Sequence, residues 1–584
     1  MSFLPISRKE MDFLGWDFAD VIIVSGDAYV DHPSFGHAVI ARILESEGLR
    51  VAILPQPNWQ DDLRDFKKLG QPRLFFGVTS GCLDSIVSHY TANKRLRSDD
   101  AYTPGGKAGF RPDRATTVYS KILKQLFPNT PVILGGIEAS LRRTTHYDFI
   151  EGRLMPSILC ESGADLLVYG MGEKPILEIA KKIQQNKDIH TTKQTAFLKK
   201  LSTLNFPLST LNSQLSTKLN SHEDCLESSD KFLENTKILE QACNAEITQK
   251  IGNKILIINP PFAQMSEAEI DRSFDLPYER KPHPRYLKRG DIPAYEMIKH
   301  SITTHRGCFG GCSFCAIHAH QGKFIASRSE KSILKEVQAL AKMPDFKGNL
   351  SDLGGPSANM YKMGGVDKNL CSECKRVSCL FPKICNNLNT NHEVMNELYK
   401  KVLQIEGVKK LFIGSGVRHD MLLHASNEEC KKENAIYTEN LILRHTSGRL
   451  KLAPEHTENH VLELMRKPDF DIYKKFLLIF QNICKKHNLK TQIIPYLMSS
   501  HPGCEMSDMK ALAITLKDLK IYPEQVQDFT PTPFTFSTAL FYLALKKNKN
   551  TPFVATDKDE KQKQKEMLLS VNHKLPLLPT NSNL

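Results

Sequence analysis

The chain has 584 residues, 41% of them hydrophobic and 24% charged, with a formal net charge of +13. At about 150 residues per domain it holds two to four domains with ample core, which excludes a fibre, a fully disordered chain and a disulfide mini-protein. No apolar run reaches the ~18 residues of a membrane helix. The start, Met1-Ser-Phe-Leu-Pro5, runs into Arg8, Lys9 and Glu10 without the apolar stretch of a secretory signal. The expected location is the cytoplasm. The basic excess permits nucleic-acid contact without demanding it. No aromatic residues interleave with the basic ones, so a solvated basic surface is the favoured reading.

Residues 1–185 alternate short apolar runs with helical patterns. Val21-Ile-Ile-Val24 precedes an amphipathic stretch from His37 to Gly48, and Val51-Ala-Ile-Leu54 and Leu74-Phe-Phe-Gly-Val78 follow. A helix over Ala115–Phe127 leads to Val132-Ile-Leu-Gly-Gly136, and Leu166-Leu-Val-Tyr-Gly170 leads to a helix from Lys174. Buried runs of this length separated by helices predict a doubly wound parallel sheet. Gly135-Gly136 and Gly170-Met-Gly172 follow strands, where such folds bind ligands, although tight turns alone explain them.

Residues 186–256 carry Leu201-Ser-Thr-Leu-Asn205, Leu208-Ser-Thr-Leu-Asn212 and Leu215-Ser-Thr217, a period of seven with poor helix formers between the leucines. They read as a low-complexity surface insertion. Residues 257–293 hold Pro260, Pro261, Pro277, Pro282, Pro284 and Pro293 and read as an extended connector. From 294 to 545 strands are expected at 299–305, 348–354, 409–415, 449–454, 490–498 and 525–531, with room for a helix between each pair. Six βα units suit a partial or closed parallel barrel whose site lies at the strand C-termini. The Lys-rich stretch 546–584 is expected to be disordered.

Seven of the 14 cysteines fall in two groups. The first is Arg306-Gly-Cys308-Phe-Gly-Gly-Cys312-Ser-Phe-Cys315, directly after the first barrel strand. Its spacing arises by chance in only ~0.01 of chains with this cysteine content. A loop this rich in glycine lets three thiolates converge on an iron–sulfur cluster, whose usual complement is four. The missing ligand leaves one iron open to a small molecule. The alternative is a three-thiol zinc site completed by His305, His318 or His320. The second group, Cys371-Ser-Glu-Cys374 with Cys379 and Cys385, lies in an insertion at 366–390. Four thiolates close a coordination shell, so either structural zinc or a second iron–sulfur cluster suits it. A reactive Cys371–Cys374 pair with two bystanders is the bland alternative.

At these residues the sequence resembles the radical SAM superfamily, whose signature has the same cysteine spacing and an aromatic residue before the third cysteine, here Phe314. It resembles YgiQ-type radical SAM proteins more closely still. That likeness runs through Ser7-Arg-Lys-Glu-Met-Asp12, Gly135-Gly-Ile-Glu-Ala-Ser140, Ile292-Pro-Ala-Tyr-Glu-Met297, Leu452-Ala-Pro-Glu-His456, Ser500-His-Pro-Gly503 and Gln525-Val-Gln-Asp-Phe-Thr-Pro-Thr-Pro533. Only the low-complexity insertion and the tail fall outside it. The resemblance implies a doubly wound N-terminal domain followed by a radical SAM partial (β/α)6 barrel. It implies a 4Fe–4S cluster on Cys308, Cys312 and Cys315, with S-adenosylmethionine bound at the open iron. Reductive cleavage would give methionine and a 5′-deoxyadenosyl radical that abstracts hydrogen from a substrate. An electron donor such as flavodoxin or ferredoxin would be needed. By the same resemblance Gly354 and Gly355 lie against the methionyl amine, Pro356 replaces the usual acidic residue, and Ser415 lines the nucleoside side. Glu455 and His456 would point into the barrel mouth. The N-terminal domain resembles cobalamin-binding modules. Their Asp-x-His-x-x-Gly signature is not matched by Asp31-His32-Pro-Ser-Phe-Gly36, where the histidine is out of place. A zinc-stabilised, non-catalytic binding protein, with RNA as one partner, is the competing reading. The substrate is not legible.

Overall fold

The computed structural model describes residues 3–203, 216–242, 244–524, 526–546 and 551–569. Its N-terminal part is built on a sheet of nine strands: β1 (Val21–Ser25), β2 (Val51–Pro55), β3 (Phe75–Thr79), β4 (Val132–Leu134), β5 (Leu166–Val168), β6 (Thr195–Lys200), β7 (Ser216–Lys218), β8 (Glu246–Ile251) and β9 (Lys254–Ile258). Their order is β7-β8-β9-β6-β5-β4-β3-β1-β2. The five strands β2-β1-β3-β4-β5 are parallel, and β6, β9 and β8 add antiparallel pairs.

The continuous apolar runs have a direct cause. Alternate residues of each strand feed two different cores: Val21, Ile23, Val51 and Ile53 enter one, and Ile22, Val24, Ala52 and Leu54 the other. The helices Gly36–Glu45 and Glu173–Gln184 cover the first face, and Ala115–Leu126 covers the second. With both faces dry, a strand needs no polar side. The chain leaves β1 toward β2 on one flank and β3 on the other, so a crevice opens at the carboxyl ends of β1 and β3.

Two sequence readings differ from what is seen. Where described, 186–256 is not a surface insertion. Its Phe197 and Ile255 enter one sheet core and its Leu219, Ile247 and Leu256 the other. Its helix Ser229–Gln241 packs Phe232 edge-on to Tyr542, with ring centroids 5.5 Å apart. The Ser/Thr/Asn filler drew attention from three short strands with apolar residues, Thr195–Lys200, Glu246–Ile251 and Lys254–Ile258. The central part of the leucine repeat, Leu208-Ser-Thr-Leu-Asn212, lies outside the described residues. The tail likewise contains a helix, Lys558–Leu569, whose Leu568 is buried. Its Gln564 Oε1 accepts from the Ser500 N–H at 2.9 Å.

The second half carries six parallel strand segments in chain order: β10 (Ser301–Thr303), β11 (Asn349–Leu350 and Asp352–Gly354), β12 (Lys410–Leu411), β13 (Arg449–Glu455), β14 (Gln492–Ser499) and β15 (Val526–Asp528). β10 pairs with β11 and β11 with β12. A Val417–Leu452 bridge leads to β13, and β13, β14 and β15 pair in turn. Helices such as Glu330–Ala341, Glu393–Leu403, Glu428–Leu443, Phe470–Lys486 and Met506–Asp518 separate them. Among the described residues no pairing joins β15 back to β10, so the barrel is partial. No helix among the described residues is long and apolar enough to cross a membrane.

Candidate active site

The loop carrying Cys308, Cys312 and Cys315 follows β10 at the barrel mouth. Ser313, inside it, is its anchor. The Ser313 N–H donates to Met465 O at 3.1 Å and its hydroxyl to Leu464 O at 2.6 Å. The Ser537 N–H donates to Ser313 O at 2.9 Å. Phe314 packs edge-on to His501, with centroids 6.2 Å apart, and the His501 ring bonds Ser537 Oγ at 2.7 Å.

Held this way, the three cysteines sit close enough to feel one another's charge. Burial, and then Cys312, raises the Cys308 thiol. Burial, and then Cys312 and Cys308, pushes the Cys315 thiol up to about 12. A counter-charge is built in. Arg418 Nη1 lies 3.6 Å from Cys312 Sγ, and Asp420 fixes the guanidinium through Nε at 2.9 Å. Thiolates beside a buried cation are the form that binds iron. Among the described residues no three Cys, His, Asp or Glu side chains are grouped tightly enough to chelate a single ion. His305 and His320 are turned to Thr304 Oγ1 at 2.8 Å and Ser140 Oγ at 3.0 Å.

A cavity of about 580 Å³ opens between the carboxyl ends of the N-terminal sheet and the barrel mouth. Gly354, Gly355, Pro356 and Ser415 line its barrel wall, beside Thr303, His305 and Arg306. Gly355 is required sterically, since a Cβ there would lie 2.6 Å from the His305 ring. His305 Nδ1 bonds Thr304 Oγ1 at 2.8 Å, its buried Nε2 has no partner, and burial lowers its pKa to about 4. Ser415 lines the cavity and also holds the barrel wall together. Its hydroxyl is donated to Asp352, which also accepts the Gly414 and Ser415 N–H groups at 2.8 and 3.1 Å. It ties the ends of β11 and β12 together. Phe314 is not a lining residue; it braces the cysteine loop instead.

The sheet side contributes His37 and Glu173, which sequence inspection missed, opposite His320 of the helix that follows the cysteine loop. His37 bonds Ser25 Oγ through Nδ1 at 3.3 Å, leaves Nε2 unpartnered, and is lowered to about 3 by burial. His320 bonds Ser140 Oγ at 3.0 Å and is lowered to about 4 by burial, then by Arg143. Both imidazoles are neutral. Glu173, at the start of its helix, is ion-paired with Arg306 across the gap between sheet and barrel. The one sequence signal for these was position: His37, Gly170–Glu173 and Arg306 each follow a strand end.

Other expected residues are placed elsewhere. Glu455 stands at the end of β13 with a φ of +70°, a strained value for a non-glycine residue. Its carboxylate lies 3.5 Å from Lys467 Nζ and near enough to Cys315 to raise that thiol. His456 turns away: its Nδ1 accepts from the Glu458 N–H at 3.1 Å, and its Nε2 faces Cys504 Sγ at 3.5 Å. Neither lines the cavity. Asp31 is committed to a buried pair with Arg42, and His32 Nδ1 accepts the Ser34 N–H, so that pair also stays outside it. Cys371, Cys374, Cys379 and Cys385 all line a second, smaller cavity.

Residues 3–301 match the family described as Radical SAM N-terminal. The protein is thus a radical SAM enzyme, and the non-catalytic binding reading falls. The UPF0313 protein of Bacteroides thetaiotaomicron is 54% identical over 558 residues, covering 92% of this chain and 89% of the relative. That of Porphyromonas gingivalis is 54% identical over 570 residues, covering 96% and 89%. The chain belongs to the UPF0313 family. Among solved structures, the radical S-adenosylmethionine methyltransferase TsrM of Kitasatospora setae is similar with a TM-score of 0.47 at 14% identity, covering 89% of this chain and 74% of that one.

Proposed function

We propose that this enzyme binds a 4Fe–4S cluster through Cys308, Cys312 and Cys315 and uses it to cleave S-adenosylmethionine. The observation that carries the reading is three cysteines on one braced loop, with Arg418 Nη1 3.6 Å from Cys312 Sγ and with Cys308 Sγ 3.8 Å from Ser357 Oγ. The loop lies next to the cavity wall of Gly354, Gly355 and Pro356, although none of these three cysteines itself lines that cavity. When bound, the cluster supplies one electron to the sulfonium, whose C–S bond breaks into methionine and a 5′-deoxyadenosyl radical that takes hydrogen from a substrate. The chain's own residues do the rest. Arg418 balances the charge of the Cys312 thiolate. Gly355 gives the His305 ring its place at the barrel wall. Neutral His37, His305 and His320 offer hydrogen bonds without adding charge. The Glu173–Arg306 pair holds the sheet over the barrel and keeps water out. The cavity falls within the size range of small-molecule sites, so the reacting part of the substrate is a small group.

The electron comes from a low-potential donor protein such as a flavodoxin or ferredoxin, and the four-cysteine group is a second metal site. The cytoplasm is the compartment consistent with both. The test is electron paramagnetic resonance of the anaerobically reduced protein. S-adenosylmethionine should shift the signal of the three-cysteine cluster, as it must if it binds an iron lacking a protein ligand. An unchanged signal with saturating S-adenosylmethionine contradicts the reading.

A further inference from the structure

We propose that Cys371, Cys374, Cys379 and Cys385 hold a second iron–sulfur cluster, not a zinc ion. This deepens the reading of the group as a metal site and is independent of the radical chemistry.

The four cysteines line one cavity of about 160 Å³ with Lys323, Phe324, Leu370, Arg376 and Asn387. The volume argues against zinc. Four thiolates ~2.3 Å from one Zn²⁺ would touch each other at ~3.8 Å and leave no space between them. Here the four cysteines share the lining of a cavity. Four iron and four sulfide ions need such a space of their own inside the ring of thiolates.

The surroundings suit a cluster carrying net negative charge. Lys323 donates to Cys374 O at 2.6 Å and to Arg376 O at 3.2 Å, which fixes its ammonium at the rim. Arg376 is fixed in turn by Ser378 O at 3.2 Å and Lys383 O at 2.6 Å. Asn387 Nδ2 donates to Cys371 Sγ at 3.4 Å, a hydrogen bond of the kind that tunes iron–sulfur potentials. Gly365 leaves room for the Cys371 thiol, because a Cβ there would lie 2.1 Å from Sγ.

The site is also wired to the first cysteine loop. The Cys379 N–H donates to Phe309 O at 3.0 Å, and Ser378 Oγ donates to Gly310 O at 2.7 Å. The insertion therefore packs its cysteines directly behind the loop of Cys308 and Cys312.

The test measures iron, acid-labile sulfide and zinc on protein isolated without oxygen. Wild type should carry about eight iron and eight sulfide per chain. A variant with Cys308, Cys312 and Cys315 changed to Ala should keep about four of each, with iron–sulfur absorption and no zinc. Changing Cys371, Cys374, Cys379 and Cys385 to Ser in that variant should remove the remainder. One zinc, or no metal, in the three-alanine variant overturns the proposal. Should that variant not fold, wild-type protein with four iron and one zinc overturns it equally, and eight iron with no zinc supports it. A wild-type count of four iron that survives the three-alanine change would sustain this site while sinking the reading of the three-cysteine loop.

Discussion

Glu173→Gln is the sharpest test of how the cavity is closed. The substitution keeps the side-chain shape and removes the charge facing Arg306. Glu173 is 3% exposed and Arg306 12% exposed at the side chain, so the guanidinium is left almost dry without its counter-charge. It retains the neutral Gln amide oxygen as an acceptor, the Met171 sulfur at 3.6 Å and the Phe274 ring at 5.0 Å. Removing one partner of a buried pair costs about 3–5 kcal/mol, and the residual exposure of Arg306 places this case near the lower figure. For a unit of roughly 250 residues, ~3 kcal/mol lowers the melting temperature by about 6–12 °C. Tryptophan fluorescence is the assay. Trp16 and Trp59 are the chain's two tryptophans and both pack on a core of the N-terminal sheet, so their signal reports melting of that half. Adding Arg306→Met to Glu173→Gln removes the stranded charge and should recover about half the loss or more. A Glu173→Gln protein within ~1 kcal/mol of wild type, or a double variant as unstable as the sum of the singles, refutes the argument.

Three further outcomes follow from the same geometry. Gly355→Ala forces a methyl group into the His305 ring. Overpacking of about 1–3 kcal/mol should weaken S-adenosylmethionine binding by roughly tenfold or more in calorimetry, and unchanged affinity would remove Gly355 from the site. Acid should destabilise the protein between pH 6.5 and about 4. In that window His305 and His320, held near 4 by burial, stay neutral when folded while their unfolded forms take up protons, so stability is full above pH 6.5 and lost as the pH falls. Urea unfolding should show a slope of up to ~1.4 kcal/mol per pH unit per histidine, reduced in His320→Asn. Gln564→Ala strands the buried Ser500 N–H, at a cost of about 1–3 kcal/mol. A loss of stability under ~0.5 kcal/mol would mean that the C-terminal helix does not hold β14.

The strands of the N-terminal sheet were legible because burial on two faces demands unbroken apolar runs, as in Val21–Ser25 and Phe75–Thr79, whereas a barrel strand such as Arg449–Glu455 begins by alternating exposed and buried residues. The added strands β6, β8 and β9 were not. Lys199, Lys200, Lys250 and Lys254 stand at or near their ends, exposed or half-buried, and break up the apolar run. The tail helix escaped notice because one buried Leu568 among Lys and Gln leaves no periodic signal. Within the site, the cysteine loop was readable since its three thiols share one short segment. His37 and Glu173 were not, because separate strand ends bring them to the cavity beside His320 only in space. Ser415 was found at the cavity, yet its hydroxyl is turned to Asp352 by a constraint that only the β11–β12 junction reveals.

The account's central claim is tested most directly by chromatography of the products formed when anaerobically reduced enzyme meets S-adenosylmethionine. Wild type should release 5′-deoxyadenosine and methionine in equal amounts, and Cys312→Ala should release none while unfolding at the wild-type temperature or close to it. Equal 5′-deoxyadenosine from the two proteins, or none from wild type loaded with iron and sulfide, would contradict the account.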